Sequence, residues 1–322
     1  MFHYEFQVPA SKRVRYIVHT DCKNEADDQY TLAHILMTPK LDVKGIVAGH
    51  FDAATKFNPD YQPGETAQAS YDEVLKVMDL MHLSGQYPVL MGAPVAMTDE
   101  NTPIDSEGAR FIIEEAMKED DSPLFIGMQG CLTDLASAIL MKPEICDRMT
   151  AIWIGGGDYP EGGNEFNLMQ DIHAANVVFK SSMPLWQVPV SVYKQFSVSL
   201  AELQYKVKPH GKIGAYLFDQ LVELNEKLGN LPIPWPHGEL WFLGDEGVVA
   251  ALMDDMQTAS GYTMRPAPGY TMRPAPVVDA ETMAYLPGSS DRMVRVYHTM
   301  NVRTDLEDLF CKLAINFPHQ DD

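Results

Sequence analysis

Strand-like and helix-like segments alternate through the first two-thirds of this 322-residue chain. Residues 13–19 alternate in polarity and carry β-branched side chains, which is typical of a strand. Apolar residues at helical spacing follow from about residue 27, and the same succession recurs up to a strand predicted to end near residue 192. Parallel strands need helical crossovers between them. The order therefore predicts an α/β fold with an open, mostly parallel central sheet and helices on both faces.

The last third is less regular, but no composition shift marks a boundary, so we expect a single domain over residues 1–322. Residues 261–268 and 269–276 are two consecutive copies of the sequence GYTMRPAP. Their prolines and glycines predict an extended surface loop, and a lid over a site is the alternative to a plain duplicated insertion. Further segments are predicted as helices at 210–228, 245–257 and 304–315 and as a strand at 293–297.

Composition limits the partners and the compartment. A net charge of −21 at pH 7 makes nucleic acid or an anionic membrane an unsuitable partner. Neither a run of eighteen apolar residues nor a basic-then-apolar signal pattern is found, so we expect a cytoplasmic protein that does not enter a membrane. The four cysteines are widely spaced and predicted to be reduced: Cys22, Cys131, Cys146 and Cys311.

The junction between the first strand and the first helix is crowded with acids. Within residues 21–28 stand four carboxylates: Asp21, Glu25, Asp27 and Asp28. Carboxylates at the carboxyl end of a strand repel one another unless a cation or the hydroxyls of a sugar share the space. The plainer interpretation is that acids in a first turn offset the helix dipole by about 0.3–1 kcal/mol each. The crowding favours a site for a hard metal ion, in which Lys23 is an anomaly.

Two further predicted strand ends carry polar loops. The backbone carbonyls of residues 130–136 can complete an oxygen shell around a cation, although a helix capped by Thr133 or Asp134 is the alternative. Residues 155–167 form a glycine-rich loop that does not match the dinucleotide-binding fingerprint. Its side chains suited to sugar hydroxyls are Asn164, Glu165 and Asn167.

These segments, in this order, resemble the nucleoside hydrolase family. The family's opening motif, DxDPGxDD, aligns without gaps with DCKNEADD at residues 21–28. PVLMGAP at 88–94 is similar to the family's PVxxGAP, and GCLTDLA at 130–136 to its GPLTNLA. WIGGG, EFN and DIHAA between residues 153 and 175 are similar to the series MGGG, EFN and DPEAA. The resemblance covers about residues 13–257, implies the Rossmann-like fold of that family, and is closest to a divergent branch.

The resemblance implies cleavage of the N-glycosidic bond of a ribonucleoside or related riboside by water activated on a bound Ca²⁺. By position it assigns calcium ligands to Asp28, the Thr133 carbonyl and Asp245, and ribose contacts to Asp27, Glu165 and Asn167. Few lysines or arginines lie near these motifs, which favours an uncharged riboside over a nucleotide. Family members are often dimers or tetramers, so a homodimer or homotetramer is expected.

One departure from the family concerns the general base. The second acid of the opening motif, a metal ligand and base in the family, aligns with Lys23, whose ammonium cannot bind calcium. Asp21 or Glu25 can replace it, Lys23 can turn outward, the site can bind metal weakly, or a deprotonated Lys23 can itself act as base. We favour Asp21 because it stands at the strand end.

A second departure is Gly244, where many purine-active members carry the histidine that protonates the leaving base. Trp235, His237 and Trp241 precede it closely and can stack on or hydrogen-bond a leaving group. Of these we assign Trp241 to the substrate, with core packing as the alternative. A catalytically silent riboside-binding protein on the same fold is the second function hypothesis.

Overall fold

The computed structural model describes residues 2–56, 58, 60–230, 238–253, 269–288 and 291–318. Its strands are β1 Val14–Thr20, β2 Leu41–Ala48, β3 Val89–Met91, β4 Leu124–Met128, β5 Met149–Ile154, β6 Leu185–Val188, β7 Ser197–Ser199, β8 Leu240–Phe242, β9 Tyr270–Pro274, β10 Val277–Val278, β11 Tyr285–Leu286 and β12 Met293–Tyr297. Its α-helices are α1 Asp28–Met37, α2 Thr66–Leu80, α3 Glu107–Ala116, α4 Thr133–Met141, α5 Phe166–Gln170, α6 Ile172–Lys180, α7 Val190–Tyr193, α8 Leu200–Lys206, α9 Gly211–Gly229, α10 Gly247–Met253 and α11 Val302–Asn316. Short 3-10 turns occupy Ala10–Lys12, Asp52–Lys56, Pro143–Asp147 and Gly244–Glu246.

One eight-stranded sheet organises these elements, in the order β3-β2-β1-β4-β5-β6-β12-β9. All neighbouring strands run parallel except β9, which is antiparallel to β12. The chain begins in the middle of the sheet at β1, proceeds outward to β3, and then crosses back to continue from β4 in the other direction. The predicted open, mostly parallel α/β sheet is confirmed, and its order reverses between β1 and β4.

Hydrophobic cores cover both faces of the sheet. Along β1, Tyr16 and Val18 belong to one core, whereas Ile17 between them belongs to the other, as the period-two alternation of a strand requires. The first core contains apolar residues of α1, α2, α9, α10 and α11. The second contains those of α3, α4 and α6. Because both faces are covered, ligands reach the sheet only at the strand ends.

Two predictions about secondary structure were wrong. The second copy of the repeat, at 269–276, contributes strand β9 at the sheet edge, where its backbone pairs with β12 and Pro274 is tolerated at the strand end. The first copy lies outside the described residues. The strand predicted to end near residue 192 stops at Val188, because Pro189 interrupts it and α7 begins at Val190.

Two further features are the length and polarity of the helices and the state of the four cysteines. Among the described residues, every helix is too short or too polar to span a membrane. All four cysteines are unpaired; Cys311 is exposed and the other three are buried.

Candidate active site

Three aspartates from distant parts of the chain meet beyond the carboxyl end of β1. Asp27 and Asp28 stand at the start of α1, and Asp245 lies in the 3-10 turn that precedes α10. One carboxylate oxygen of each lies within 4.8 Å of the others, and all three side chains are buried. The backbone N–H of Asp245 donates to Asp27 Oδ2 at 3.3 Å, which ties the turn to α1. The structure thus brings together the predicted metal ligands Asp28 and Asp245, with Asp27 beside them.

Burial and mutual repulsion make this cluster unfavourable as three carboxylate ions. Burial is the main cause that raises the pKa of Asp27 to about 6. Burial, followed by repulsion from Asp27, raises the pKa of Asp28 to about 7 and that of Asp245 well above its usual range. Either protons or a cation must therefore balance the charge. An all-oxygen donor set fits a hard divalent cation such as Ca²⁺.

Asp21 lies between this cluster and the end of β4. Its side chain is 1% exposed, and among the described residues no donor reaches its Oδ2. A Cβ at Gly130 would lie 2.7 Å from the Asp21 Cγ, so the close approach of the β4 loop requires glycine there. Burial, followed by repulsion from Asp28, raises the Asp21 pKa well above its usual range. A carboxylate in this position can accept a proton from a water held beside the aspartates.

The other two candidate bases, Lys23 and Glu25, are oriented differently from Asp21. The Lys23 Nζ lies 3.2 Å from Glu73 Oε2 on α2, and about a third of the lysine side chain is exposed. Its ammonium is therefore paired away from the aspartates, the outward orientation considered from the sequence. Glu25 is half-buried. The partial loss of its hydration, followed by repulsion from Asp27, raises its pKa.

The loop after β5 holds Glu165 and Asn167 by hydrogen bonds. Glu165 accepts from the backbone N–H groups of Gly156 at 2.7 Å, Leu168 at 2.9 Å and Asn167 at 3.1 Å. The Asn167 Nδ2 donates at 2.8 Å to the carbonyls that end β4 and β5, those of Gln129 and Ile154. Asn164 is exposed. Glu165 and Asn167 are thus fixed at the strand ends, and their ribose contacts remain predictions.

Thr133 and Trp241 complete the predicted set. The Thr133 hydroxyl donates to Asp171 Oδ2 at 2.7 Å and accepts from His50 Nε2 at 2.9 Å at the start of α4. The structure does not test the calcium role of its carbonyl. Trp241 is fully buried in the first hydrophobic core on β8, a position that fits core packing, the alternative given from the sequence, and its substrate contact stays a prediction. Residues 235 and 237 lie outside the described residues.

Two residues at the site were missed in the sequence. Gln129 follows β4 directly, is 1% exposed, and both polar atoms of its side chain lack a partner among the described residues. The Tyr193 hydroxyl donates to Glu165 Oε1 at 2.9 Å. The Tyr193 ring packs on Gly244, where an added Cβ would lie 3.0 Å from its Cδ2. Neither residue lies in a motif. The position of Gln129 at a strand end is a local signal, whereas only the fold brings Tyr193 to the site.

Comparisons with known proteins agree with this geometry. The chain is 25% identical over 208 residues to an uncharacterized protein of Schizosaccharomyces pombe, covering 58% of this chain and 64% of that one. It is 32% identical over 120 residues to an inosine-uridine preferring nucleoside hydrolase of Crithidia fasciculata, covering 36% of each. The matched stretches thus span less than two thirds of both relatives.

A likeness of fold extends further than these sequence matches. A solved purine-preferring ribonucleoside hydrolase from Gardnerella vaginalis superposes with a TM-score of 0.70 at 18% identity, over 94% of this chain and 99% of that one. The family model described as inosine-uridine preferring nucleoside hydrolase matches residues 16–308. The chain therefore belongs to the inosine-uridine preferring nucleoside hydrolase family.

Proposed function

We propose that this protein is a calcium-dependent hydrolase of the N-glycosidic bond of an uncharged ribonucleoside or related riboside. The observation that carries the proposal is the convergence of Asp27, Asp28 and Asp245 within 4.8 Å. The buried carboxylate of Asp21, whose Oδ2 has no partner among the described residues, lies next to them. Membership of a ribonucleoside hydrolase family supports the same bond and substrate class.

Each residue has a distinct task in this proposal. Asp28, Asp245 and the Thr133 carbonyl would hold Ca²⁺, which supplies a water of lowered pKa and a place for the ribose diol. Asp21 would take the proton from that water. The water oxygen would bond to the anomeric carbon as the N-glycosidic bond breaks, and the base would leave with the electron pair and take a proton from solvent. The surrounding carboxylates would stabilise the positive character of the sugar during this step. Glu165 and Asn167, fixed by the loop, would orient the ribose hydroxyls.

Asp28→Asn tests the metal and the activity together. We expect calcium content and reducing-sugar release from a nucleoside panel both to fall, by at least a hundredfold for the rate, because the amide removes a charged ligand. Asp121→Asn, at an exposed position, is the matched control and should change neither. Full activity in the Asp28 variant would show that the metal assignment is wrong.

A catalytically silent riboside-binding protein is the second candidate, favoured by Lys23 in place of the family's acid. It predicts that ribose binds, as measured by calorimetry, while no nucleoside in the panel releases sugar. Sugar release above the Asp28→Asn background would exclude it.

The remaining proposals concern the protein's setting. We propose a cytoplasmic homodimer or homotetramer that acts on small ribosides rather than on nucleic acid, in keeping with the net charge of −21. Light scattering on the purified chain tests the assembly, and a monomer at micromolar concentration would contradict it.

A further inference from the structure

A second buried cluster of polar side chains lies where α1, the Gly244–Glu246 turn and α11 pack together. One ligand atom each of His34, Glu246 and Asp305 lies within 4.8 Å of the other two. None of the three side chains is more than 3% exposed. The proposed hydrolysis uses none of them.

Three carboxylate oxygens in this cluster accept from no nitrogen or hydroxyl group of the described residues. They are both oxygens of Asp305 and the Oε1 of Glu246, and these two carboxyl groups lie within hydrogen-bond reach of each other. A buried carboxylate without donors loses the solvation it has in water, and native structures rarely leave one so. Either a proton shared by the two carboxyl groups or a missing cation must therefore balance them at this point.

His34 is oriented as a metal-binding histidine would be. Its Nε2 lies 3.0 Å from Asp308 Oδ2, and its Nδ1 lies 2.7 Å from Glu246 Oε2. When Nε2–H donates to Asp308, the 2.7 Å contact between Nδ1 and Glu246 holds a single proton, and a cation bound by both groups would replace that proton. A carboxylate that fixes the far nitrogen is the usual support of a metal-bound imidazole.

The charge count leads to the same conclusion. Glu246, Asp305 and Asp308 contribute three negative charges, and Lys312, which pairs with Asp308, contributes one positive charge. If a cation takes the place of the Nδ1 proton and all three acids are ionised, the side chains carry an excess of two negative charges. One divalent cation would neutralise it with every group in its ordinary ionisation state, whereas an uncompensated buried charge is costly.

We propose that His34, Glu246 and Asp305 bind a divalent cation of the zinc class, separate from the calcium site. An imidazole nitrogen with two carboxylates suits Zn²⁺ or Co²⁺ better than Ca²⁺, which prefers oxygen alone. Because Glu246 directly follows Asp245, a cation here also fixes the turn that carries the calcium ligand.

Cobalt is the probe, since its visible absorption reports nitrogen coordination. The full chain is produced in cobalt-supplemented medium, so that the ion is present as the buried site folds, and purified in excess Ca²⁺ to occupy the all-oxygen site. We expect about one cobalt per chain in the wild type and in Asp28→Asn. His34→Gln and Asp305→Asn should each reduce the cobalt content at least tenfold.

Asp305→Asn preserves shape and removes one buried charge, so it keeps the test valid if His34→Gln does not fold. Cobalt lost from Asp28→Asn but retained in Asp305→Asn would place the ion at the first site and overturn the proposal. A folded wild type without bound cobalt or zinc would also overturn it, because protons would then balance the cluster. The readout is independent of activity, so it stands whether or not the chain hydrolyses nucleosides.

Discussion

The Lys23 ammonium lies 3.2 Å from Glu73, a nearly buried acid that also accepts hydrogen bonds from Gln29 and Tyr216. Glu73 therefore provides a partner outside the aspartate cluster for a cation that would otherwise oppose a metal ion. At the residue scale, a lysine in the family's acidic motif is compatible with a calcium site as long as its side chain turns toward α2. Asp21 is then the carboxylate best placed to act as the general base.

Lys23→Asp is expected to raise calcium affinity, by about tenfold, because it replaces a cation by a possible ligand. Calorimetric titration with Ca²⁺ measures the change. Lys23→Met is the control, since it breaks the ion pair with Glu73 without adding a ligand. A fall in affinity in the aspartate variant would mean that Lys23 has its own role at the site.

Tyr193→Phe removes one donor from Glu165 and keeps the ring that packs on Gly244. A hydrogen bond to a charged group contributes about 1.5–3 kcal/mol, so riboside binding should weaken roughly ten- to hundredfold through a higher KM. Kinetics with the best nucleoside of the panel give KM and kcat separately. Tyr205→Phe, whose side chain is 82% exposed, is the control. Unchanged KM in the Tyr193 variant would exclude a positioning role for its hydroxyl.

At the element scale, local pattern predicted most of the parallel sheet. The strands at 149–154 and 293–297 and the start of α1 near Asp27 were predicted within one residue. Strand β9 was missed because its pairing with β12 depends on a distant partner, while its own sequence is rich in turn formers. Tyr193 was missed for a related reason, since its place at the site follows from packing, whereas Gln129 directly follows a strand end and could have been found from that position.

Arg295 on β12 joins three strands of the sheet edge. Its guanidinium lies 3.7 Å from the ring centre of Trp186 on β6 and 4.0 Å from that of Tyr270 on β9. Arg295→Ala should lower the free energy of unfolding by about 1–2 kcal/mol, and Arg295→Lys by a similar amount, because an ammonium does not stack on two rings. Urea unfolding measures both, with exposed Arg303→Ala as control. Equal loss in the alanine and lysine variants would confirm the planar stacking as the decisive part, and no loss in either would contradict it.

At the scale of the whole molecule, the reversal of strand order between β1 and β4 determines where the acids meet. Asp27 and Asp245 are 218 positions apart in sequence, yet they lie side by side because α1 and α10 pack on the same face of the sheet. The fold stabilises this crowding only with protons or a cation present. The stability of the whole chain should therefore depend on both pH and calcium.

Removal of metal should make the protein less stable as the pH rises. Asp27 and Asp28 have pKa values of about 6 and 7 when folded, against 3.8 for an ordinary aspartate. The folded chain binds these protons more tightly than the unfolded chain does. Their contribution is therefore complete below about pH 4 and is lost as the pH passes through 6 and 7. Calcium takes over from the protons, so its stabilising effect should be larger at pH 8 than at pH 5.

Thermal unfolding of chelator-treated protein, with and without Ca²⁺ at each pH, measures this dependence. At a hundredfold excess over Kd, ligand binding contributes about 2.7 kcal/mol, or roughly 5 °C in Tm for a chain of this size. Asp28→Asn should abolish most of the calcium effect at pH 8, since it removes one ligand and one of the two titrating groups. A calcium effect that is larger at pH 5 would reverse the expected sign, and it would mean that the bound ion does not replace the protons of Asp27 and Asp28.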